Sequence, residues 1–485
     1  MHEERAEIGK LTKRLNQLGE YLDRFLQFEH PDAVQQANEW RAALGGGLPE
    51  EGCGADRVIE LMGEHLIPNG SQIPKPGCTS FITTGGTSIG LLASLSGAVA
   101  SPQRLGMTAF NFLEELSLQW MAEMFELPDG MKGVYSSGGS VANLVCLGAA
   151  RQWAFEGIGV DPAAEGVSVP GRIYASASSH HTIHRAAAVL GLGRRSVVAI
   201  PVDSRGRMSV EALRNQLLKD KEKQLLPVAI VANAGSTSTG AIDPLQRIGE
   251  IAREFNVWFH VDGAYGLPGI LDPVVRPLFK GVELADSVIV DPHKWLGAPV
   301  GIGASYVKDR DLLQRAFTQE EADYLEGSCP EDEPIKSSMD SLGIPYSDFG
   351  LELSAPSRGA VVWAMLKEIG REGMRARVCR HNAMAKALAE LVREHANLEL
   401  LQEPSLSICC FRYVHENCDD LNVLNRRIHR ELIRRGTSLP STALLDGKLA
   451  IRPCFIGART DWQQVDNLVS QVIDIGRQLS TAVDL

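Results

Sequence analysis

Short apolar runs alternate with helical stretches in the central part of the chain, from about residue 76 to residue 372. Each run is nearly continuous and rich in β-branched residues, which is typical of strands buried on both faces. Strands that alternate with helices predict an α/β fold with a mostly parallel sheet and helices on both of its faces. The five runs behind this prediction are residues 173–176, 197–200, 228–232, 257–261 and 288–290.

The segment before this region has a different pattern, in which apolar residues recur at the spacing of a helix. A loop that contains Gly and Pro interrupts it at residues 45–49. We therefore predict an N-terminal helical segment over residues 1–75. Its apolar stripe consists of Leu11, Leu15, Leu18, Tyr21, Leu22 and Phe25.

The pattern changes again after a long predicted helix near residues 371–395. Apolar runs at 405–414 and 449–455 predict strands, and residues 419–435 and 462–479 predict helices. This mixture indicates a small α+β domain at the C-terminus. The predicted division of the chain is therefore an N-terminal segment, a large domain and a small domain, at residues 1–75, 76–372 and 373–485.

Length and composition are those of a large globular protein. The chain has 485 residues, too many for one average domain, and 44% of them are apolar. No run of eighteen or more apolar residues is present, so no membrane helix is predicted. The charged first residues lack the apolar core of a signal peptide, and we expect a cytoplasmic protein.

Charge and cysteine content argue against several classes of function. A formal net charge of −12 disfavours nucleic acid and anionic membranes as partners. The nine cysteines are scattered without a CxxC pair, which argues against a disulfide framework or a cysteine metal site. Three nearby histidines, His180, His181 and His184, lack a carboxylate or cysteine beside them, so no metal is predicted.

An acid and a lysine each follow one of the predicted strands. Asp262 ends the run 257–261, and Lys294 lies in the polar turn after the run 288–290. Both are expected at the carboxyl edge of the sheet, where ligands of such folds bind. A lysine amine that can form a Schiff base and a carboxylate that can pair with a pyridine nitrogen are the groups that pyridoxal phosphate requires.

The sequence motifs around these two residues resemble those of a known family. His260-Val261-Asp262-Gly263-Ala264-Tyr265-Gly266 and Asp291-Pro292-His293-Lys294-Trp295 resemble the group II pyridoxal-phosphate decarboxylases, the glutamate and aromatic-L-amino-acid type. The resemblance extends from about Pro76 to the strand that bears Arg452. It implies the aspartate-aminotransferase-like architecture (fold type I), pyridoxal 5'-phosphate as cofactor, and a homodimer with active sites at the subunit interface.

The resemblance assigns four residues to the cofactor ring. Lys294 would form the Schiff base with the cofactor aldehyde. Asp262 would pair with the pyridine nitrogen and keep it protonated, which makes the ring an electron sink. His180 matches the family histidine that stacks on the ring and can support catalysis, and Ala264 matches the small residue packed against the ring.

A turn rich in Ser and Gly, residues 136–143, precedes an apolar helix. Ser hydroxyls and the backbone amides of a helix N-terminus bind anions, and glycines allow a close approach. In the resembled family this segment holds the cofactor phosphate, which indicates Gly139 and Ser140 and also Asn143.

Two more polar residues are expected at the cofactor. The turn 234–244 resembles a family turn in which one hydroxyl faces the cofactor, and Ser236 or Thr237 would supply it here. His293, beside Lys294, is expected either to reach the phosphate or to cap its own turn.

A tyrosine bears on the type of reaction. Residues 319–342 are charged, contain prolines and have little periodicity, which is typical of a long functional loop. In decarboxylases of the resembled family a lid tyrosine, usually followed by leucine, protonates Cα after carbon dioxide leaves. Tyr324, thirty residues beyond Lys294, matches it, and Tyr346 is the reserve candidate.

The substrate stays open between an aromatic and an acidic amino acid. Phe81 and Thr83 lie in the stretch that lines the side-chain pocket in relatives. Arg104 would recognise a second carboxylate or is a solvated charge. Arg358 would pair with a carboxylate or stabilise the base of the loop.

The sequence therefore predicts decarboxylation of an L-amino acid to the amine and carbon dioxide, through a Schiff base on Lys294. One alternative is another pyridoxal-phosphate reaction, by a carbon–carbon lyase or an aldehyde synthase on the same fold. Tyr324 and Trp295 favour the decarboxylase. The other alternative is a non-catalytic scaffold, which the intact cofactor residues argue against.

Overall fold

The computed structural model describes residues 10–29, 37–104, 108–318 and 343–481. The chain divides into two compact units, residues 1–78 and residues 79–485. The three-part division predicted from the sequence stays a prediction.

Helices account for most of the regular structure in the described residues. Those of the first unit are α1 (Leu11–Phe25), α2 (Ala37–Leu44) and α3 (Ala55–Leu61). Those of the second unit are α4 (Ser88–Ala100), α5 (Ala109–Met124), α6 (Gly139–Glu156), α7 (Thr182–Val189), α8 (Val210–Glu222), α9 (Leu245–Phe255), α10 (Asp311–Phe317), α11 (Gly359–Glu394), α12 (Leu421–Arg435) and α13 (Gln463–Thr481).

The first unit is helical, as its periodicity predicts. The aromatic ring of Tyr21 on α1 packs so closely against Gly63 that an added Cβ would lie 2.3 Å from it. None of the residues of α1 is buried, and Leu11 is 49% exposed. The apolar stripe predicted along this helix is therefore only partly covered within the unit.

Twelve strands form two sheets among the described residues. They are β1 (Cys78–Thr79), β2 (Lys132–Ser136), β3 (Gly171–Ser176), β4 (Val197–Ile200), β5 (Leu226–Asn233), β6 (Trp258–Asp262), β7 (Ser287–Val290), β8 (Gly303–Val307), β9 (Leu398–Gln402), β10 (Cys410–Tyr413), β11 (Leu439–Leu445) and β12 (Lys448–Arg452).

The larger sheet has the order β2-β8-β7-β6-β5-β3-β4. The five strands from β7 to β4 are parallel, and β8 is antiparallel to both of its neighbours. Each of the five runs predicted from the sequence forms one of the parallel strands, so the prediction of a mostly parallel sheet is confirmed. The two strands at the antiparallel edge were not predicted.

Helices pack against this sheet and bury an extensive apolar core. The N-terminal end of α6 follows directly on β2, and α6 packs against β5, β6, β7 and β8. Helices α8 and α9 pack against β5. These contacts bury β5 and β6 almost completely, which explains why their sequences are continuous apolar runs rather than alternating ones.

The smaller sheet has the order β1-β11-β12-β10-β9, and its pairs from β11 to β9 are antiparallel. Helices α12 and α13 pack together beside it around a second apolar core. The predicted C-terminal strands and helices are present, whereas β9 and β11 were not predicted. The long helix α11 leads into this part and breaks at Gly370, whose φ is +65°.

No helix within the described residues has both the length and the apolar character needed to cross a membrane.

Candidate active site

A pocket of about 330 Å³ opens at the carboxyl ends of the parallel strands. Ligands of open α/β sheets bind at this edge. Nine of the residues predicted from the sequence to contact a cofactor line the pocket: Gly139, Ser140, Asn143, His180, Thr237, Asp262, Ala264, His293 and Lys294.

The register of the parallel strands brings the acid to the pocket. Asp262 is the last residue of β6 and pairs with Asn233 at the end of β5 and with Ile289 near the end of β7. Its Oδ1 accepts a hydrogen bond from the Ala264 amide (3.1 Å), and its Oδ2 accepts one from Asn143 Nδ2 (3.0 Å). The carboxylate is therefore held by two donors at the wall of the pocket.

The lysine lies on the turn Pro292–Leu296, immediately after β7. The next residue, Trp295, is fully buried and stacks on Tyr265, with ring centroids 5.3 Å apart. Its Nε1 donates a hydrogen bond to His381 Nδ1 (3.0 Å). This packing holds the turn in place, and Lys294 on the turn lines the pocket.

Asp291, a residue that the sequence analysis did not single out, is the partner of this lysine. Its Oδ2 lies 3.0 Å from Lys294 Nζ, and its side chain is 1% exposed. A buried carboxylate beside an ammonium offsets part of the cost of desolvating both groups. The signal was available, because Asp291 begins the same motif that contains the lysine.

The histidine predicted to stack on the cofactor is half-buried in the pocket. His180 Nδ1 lies 3.1 Å from Thr182 Oγ1, which orients the imidazole. Burial, and then the neighbouring His181, lower the pKa of His180. An uncharged imidazole is therefore favoured, which suits stacking on an aromatic ring.

The turn between β2 and α6 lies at one end of the pocket. Gly138 has a φ of +138°, and a Cβ added to it would lie 3.1 Å from the ring of His293. A Cβ added to Gly139 would lie 2.6 Å from Asp291 Oδ2, so this position tolerates only glycine. The N-terminal amides of α6 thus open on the pocket, where they suit a phosphate.

The geometry bears on two questions that the sequence left open, the choice between Ser236 and Thr237 and the role of His293. Thr237 lines the pocket, whereas Ser236 is buried and bonds to Thr239 Oγ1 (3.1 Å). His293 lines the pocket, and its Nδ1 donates to the Ile302 carbonyl, nine residues further along the chain, so its contact with the phosphate stays a prediction.

Several predicted residues are not brought to the pocket. Phe81 is 64% exposed, and neither it nor Thr83 lines the pocket wall. Tyr346 is buried, and its hydroxyl donates to Glu115 Oε2 (2.8 Å), which removes the reserve proton donor from consideration. Tyr324 lies outside the described residues.

The two arginines considered for substrate binding lie together in a separate buried cluster. Arg104 is 4% exposed, and its guanidinium donates to the backbone carbonyls of Tyr135 and Glu352. Arg358 is 5% exposed and forms a bidentate pair with the Glu352 carboxylate, at 2.8 and 3.0 Å. Within this chain neither guanidinium is available to a substrate, because nearby groups of the fold already occupy both.

A metal centre has no visible basis in the part of the chain that the structure describes. No group of three or more His, Cys, Asp or Glu side chains there is arranged to hold an ion.

Fold and site together define an enzyme built for pyridoxal phosphate. The pocket offers a lysine for the aldehyde, a carboxylate for the ring nitrogen and a helix N-terminus for the phosphate, so the residues present fit the cofactor. A family profile described as the pyridoxal-dependent decarboxylase conserved domain matches residues 42–414. The chain belongs to this family and is a pyridoxal-phosphate-dependent amino-acid decarboxylase.

Known proteins similar to this chain include both decarboxylases and aldehyde synthases. An aromatic-L-amino-acid decarboxylase of Bacillus atrophaeus is 27% identical, over 91% of this chain and 89% of the relative. An L-2,4-diaminobutyrate decarboxylase of Rhizobium meliloti is 30% identical, over 90% and 84%. The solved structure of Oryza sativa TDC with PLP and tryptamine has a TM-score of 0.85 at 21% identity, over 97% of this chain and 98% of the other. It supports the predicted fold class.

The buried arginine cluster yields a prediction on stability. Glu114 is 1% exposed, its Oε2 accepts from the Gly359 amide (2.6 Å), and burial raises its pKa to about 7. The folded chain therefore holds this proton more tightly than the unfolded chain, and stability falls as pH rises from about 4.5 to about 7. As the pH rises from 5 to 8, the free energy of unfolding of Glu114→Gln should therefore increase by about 2 to 3 kcal/mol relative to that of wild type.

Chemical denaturation at both pH values measures this gain. Glu123→Gln, an exposed carboxylate on the same helix, is the control and should show little pH-dependent gain. A Glu114→Gln gain that stays constant between the two pH values contradicts the prediction.

Proposed function

We propose that this enzyme decarboxylates an L-amino acid to the amine and carbon dioxide, with Lys294 as the residue that binds the cofactor covalently. The observation behind the proposal is that Lys294, Asp262 and the N-terminus of α6 surround one pocket. The same three features fit the aldehyde, the ring nitrogen and the phosphate of the cofactor.

Bound pyridoxal phosphate supplies an electron-accepting ring that takes up the electrons of the breaking bond to the carboxylate. Asp262 lines the pocket with both oxygens held by donors of the protein, and it would accept a further hydrogen bond from the protonated ring nitrogen. His180 would cover one face of the ring. The N-terminal amides of α6 and the hydroxyl of Ser140 would bind the phosphate.

Lys294 acts as a nucleophile only when its amine has lost a proton. Asp291 Oδ2 lies 3.0 Å from Nζ, so the charged amine forms an ion pair with this buried carboxylate, which helps to keep it within the pocket. The fully buried Trp295 holds the turn that carries Lys294 in place.

The proton that Cα receives is assigned to Tyr324. This assignment rests on its spacing from Lys294 and on the family resemblance. The burial of Tyr346 and its bond to Glu115 strengthen it, because they remove the reserve candidate.

An aromatic side chain is the better choice for the substrate. An acidic substrate needs a cation for its second carboxylate, and the two arginines considered for that purpose are held by Tyr135 and Glu352. Releasing a buried, paired guanidinium costs several kcal/mol. An aromatic substrate needs no such cation.

We also propose a homodimer in the cytoplasm. Helix α4 contains no charged residue, and two of its apolar side chains are exposed to solvent, Leu92 to 59% and Val99 to 61%. Apolar surfaces of this kind mark protein interfaces. The partly covered apolar stripe of α1 gives the same indication for the first unit.

Lys294→Ala should abolish turnover and covalent attachment of the cofactor. Borohydride reduction followed by mass spectrometry should find the cofactor fixed to wild type and to Lys219→Ala, an exposed control on α8. Cofactor that stays fixed to the Lys294→Ala protein shows that another lysine binds it.

A product screen by mass spectrometry tests reaction and substrate together. Tyrosine, tryptophan, dihydroxyphenylalanine, aspartate, glutamate, cysteine sulfinate and diaminobutyrate are incubated one by one with cofactor-loaded enzyme. The expected result is an amine from an aromatic substrate only. An amine from an acidic or cationic substrate overturns the aromatic proposal but keeps the reaction.

Tyr324→Phe should shift the products from amine toward aldehyde and ammonia, because the proton donor to Cα is lost. The ratio of amine to aldehyde is measured with the substrate found in the screen. Unchanged amine output removes Tyr324 from the mechanism.

A further inference from the structure

A buried chain of hydrogen bonds runs behind Asp262, away from the pocket. Trp258 Nε1 lies 2.8 Å from Ser287 Oγ, and Ser287 Oγ lies 2.8 Å from His260 Nδ1. His260 Nε2 lies 2.9 Å from Asn143 Oδ1, and Asn143 Nδ2 lies 3.0 Å from Asp262 Oδ2. His260 and Ser287 are opposite each other in the register of β6 and β7.

The two ends of this chain impose one direction on it. The indole of Trp258 can only donate, and the ionised carboxylate of Asp262 can only accept. The Asn143 amide must therefore turn its NH₂ to Asp262 and its oxygen to His260. His260 must then carry its proton on Nε2, because any other tautomer would place two acceptors 2.9 Å apart.

The remaining bond follows from this tautomer. With its proton on Nε2, His260 Nδ1 is an acceptor, and the Ser287 hydroxyl donates to it while accepting from Trp258. Every hydrogen bond thus points toward the carboxylate, and aligned bonds polarise one another in a buried site. Trp258, Ser287 and His260 are all fully buried, and burial lowers the pKa of His260, in keeping with a neutral ring.

Asn143 connects this chain to the other side of the cofactor pocket. The second proton of its amide points to Thr182 Oγ1, at 3.4 Å. Thr182 Oγ1 in turn lies 3.1 Å from His180 Nδ1, and the Thr182 amide also donates to that nitrogen. One amide therefore orients both the residue for the ring nitrogen and the residue for the ring face.

We propose that Asn143, His260 and Ser287 are positioning residues, which hold the Asp262 carboxylate toward the cofactor ring nitrogen through one-way hydrogen-bond donation. The inference rests on the proposed role of Asp262. It assigns functions to His260 and Ser287, neither of which lines the pocket.

Solid-state ¹⁵N NMR of the cofactor-loaded wild-type enzyme, labelled at histidine, tests the direction of these hydrogen bonds. The protein has twelve histidines, and the signals lost in His260→Gln identify those of His260. We expect a neutral ring protonated on Nε2 from pH 6 to pH 9. A proton on Nδ1, or a charged ring in that range, overturns the proposal whether or not Asp262 binds the cofactor.

Two serines of equal burial test the positioning role. Ser287→Ala breaks the chain without touching the pocket, and Ser305→Ala removes an equally buried hydroxyl on the adjacent strand, where it donates to the Ala142 carbonyl. We expect Ser287→Ala to weaken cofactor affinity about fivefold, because one hydrogen bond of the chain contributes roughly that much. Ser305→Ala should leave the affinity near that of wild type.

Substitutions of His260 supply the rescue. Gln can accept from Ser287 and donate to Asn143, so His260→Gln should keep most of the affinity. His260→Leu, of similar size, cannot do either and should lose about tenfold. The dissociation constant is measured by quenching of tryptophan fluorescence, with thermal unfolding recorded for every variant.

The outcomes separate this inference from the proposed function. Equal affinities for the two serine variants, or for the Gln and Leu variants, show that the chain is structural only and overturn the inference. If Asp262→Asn binds and turns over like wild type, the proposed role of Asp262 fails, although the histidine tautomer can still be as inferred.

Discussion

The parallel register of β5, β6 and β7 is the constraint on which the site depends. It aligns Asn233, Asp262 and Ile289 across three neighbouring strands, so the strands end together at one edge. The turn with Lys294 begins only after that edge. A shift of one residue in β6 would turn Asp262 to the other face of the sheet and remove the partner of the ring nitrogen.

Carboxylates buried at one edge of a sheet are costly unless donors or positive charges lie close to them. The Asp262 carboxylate accepts hydrogen bonds from the Ala264 amide and from Asn143, and the Asp291 carboxylate forms an ion pair with Lys294. Unpaired carboxylates at this depth would be costly, because the apolar core surrounds the strands on which they lie. The cofactor site is thus stabilised by the same contacts that orient its reactive groups, and function and folding share them.

What could be predicted from the sequence was what lies close together along the chain. The five parallel strands were predicted because their apolar runs are continuous, and Asp262 and Lys294 because each directly follows such a run. The strand β2 escaped prediction because Lys132 and Gly133 interrupt its apolar pattern. Its partner β8 mixes Gly, Ala and Ser with apolar residues, so its burial is visible only once α6 and the neighbouring strands are in place.

The error over Arg104 has a physical reason of the same kind. An isolated arginine in a sequence shows its charge but not its partners, and here those partners are Tyr135 and Glu352, far away along the chain. The hydrogen-bond chain that links the side chains of Trp258 and Asp262 could not be predicted for a related reason, since it depends on cross-strand register and on the side-chain amide of Asn143 on α6. Local motifs therefore identify the groups that meet the cofactor, whereas the groups that orient them emerge only from tertiary structure. A tertiary contact can also withdraw a candidate, as Glu352 does for both arginines, and the choice of substrate class depends on that contact.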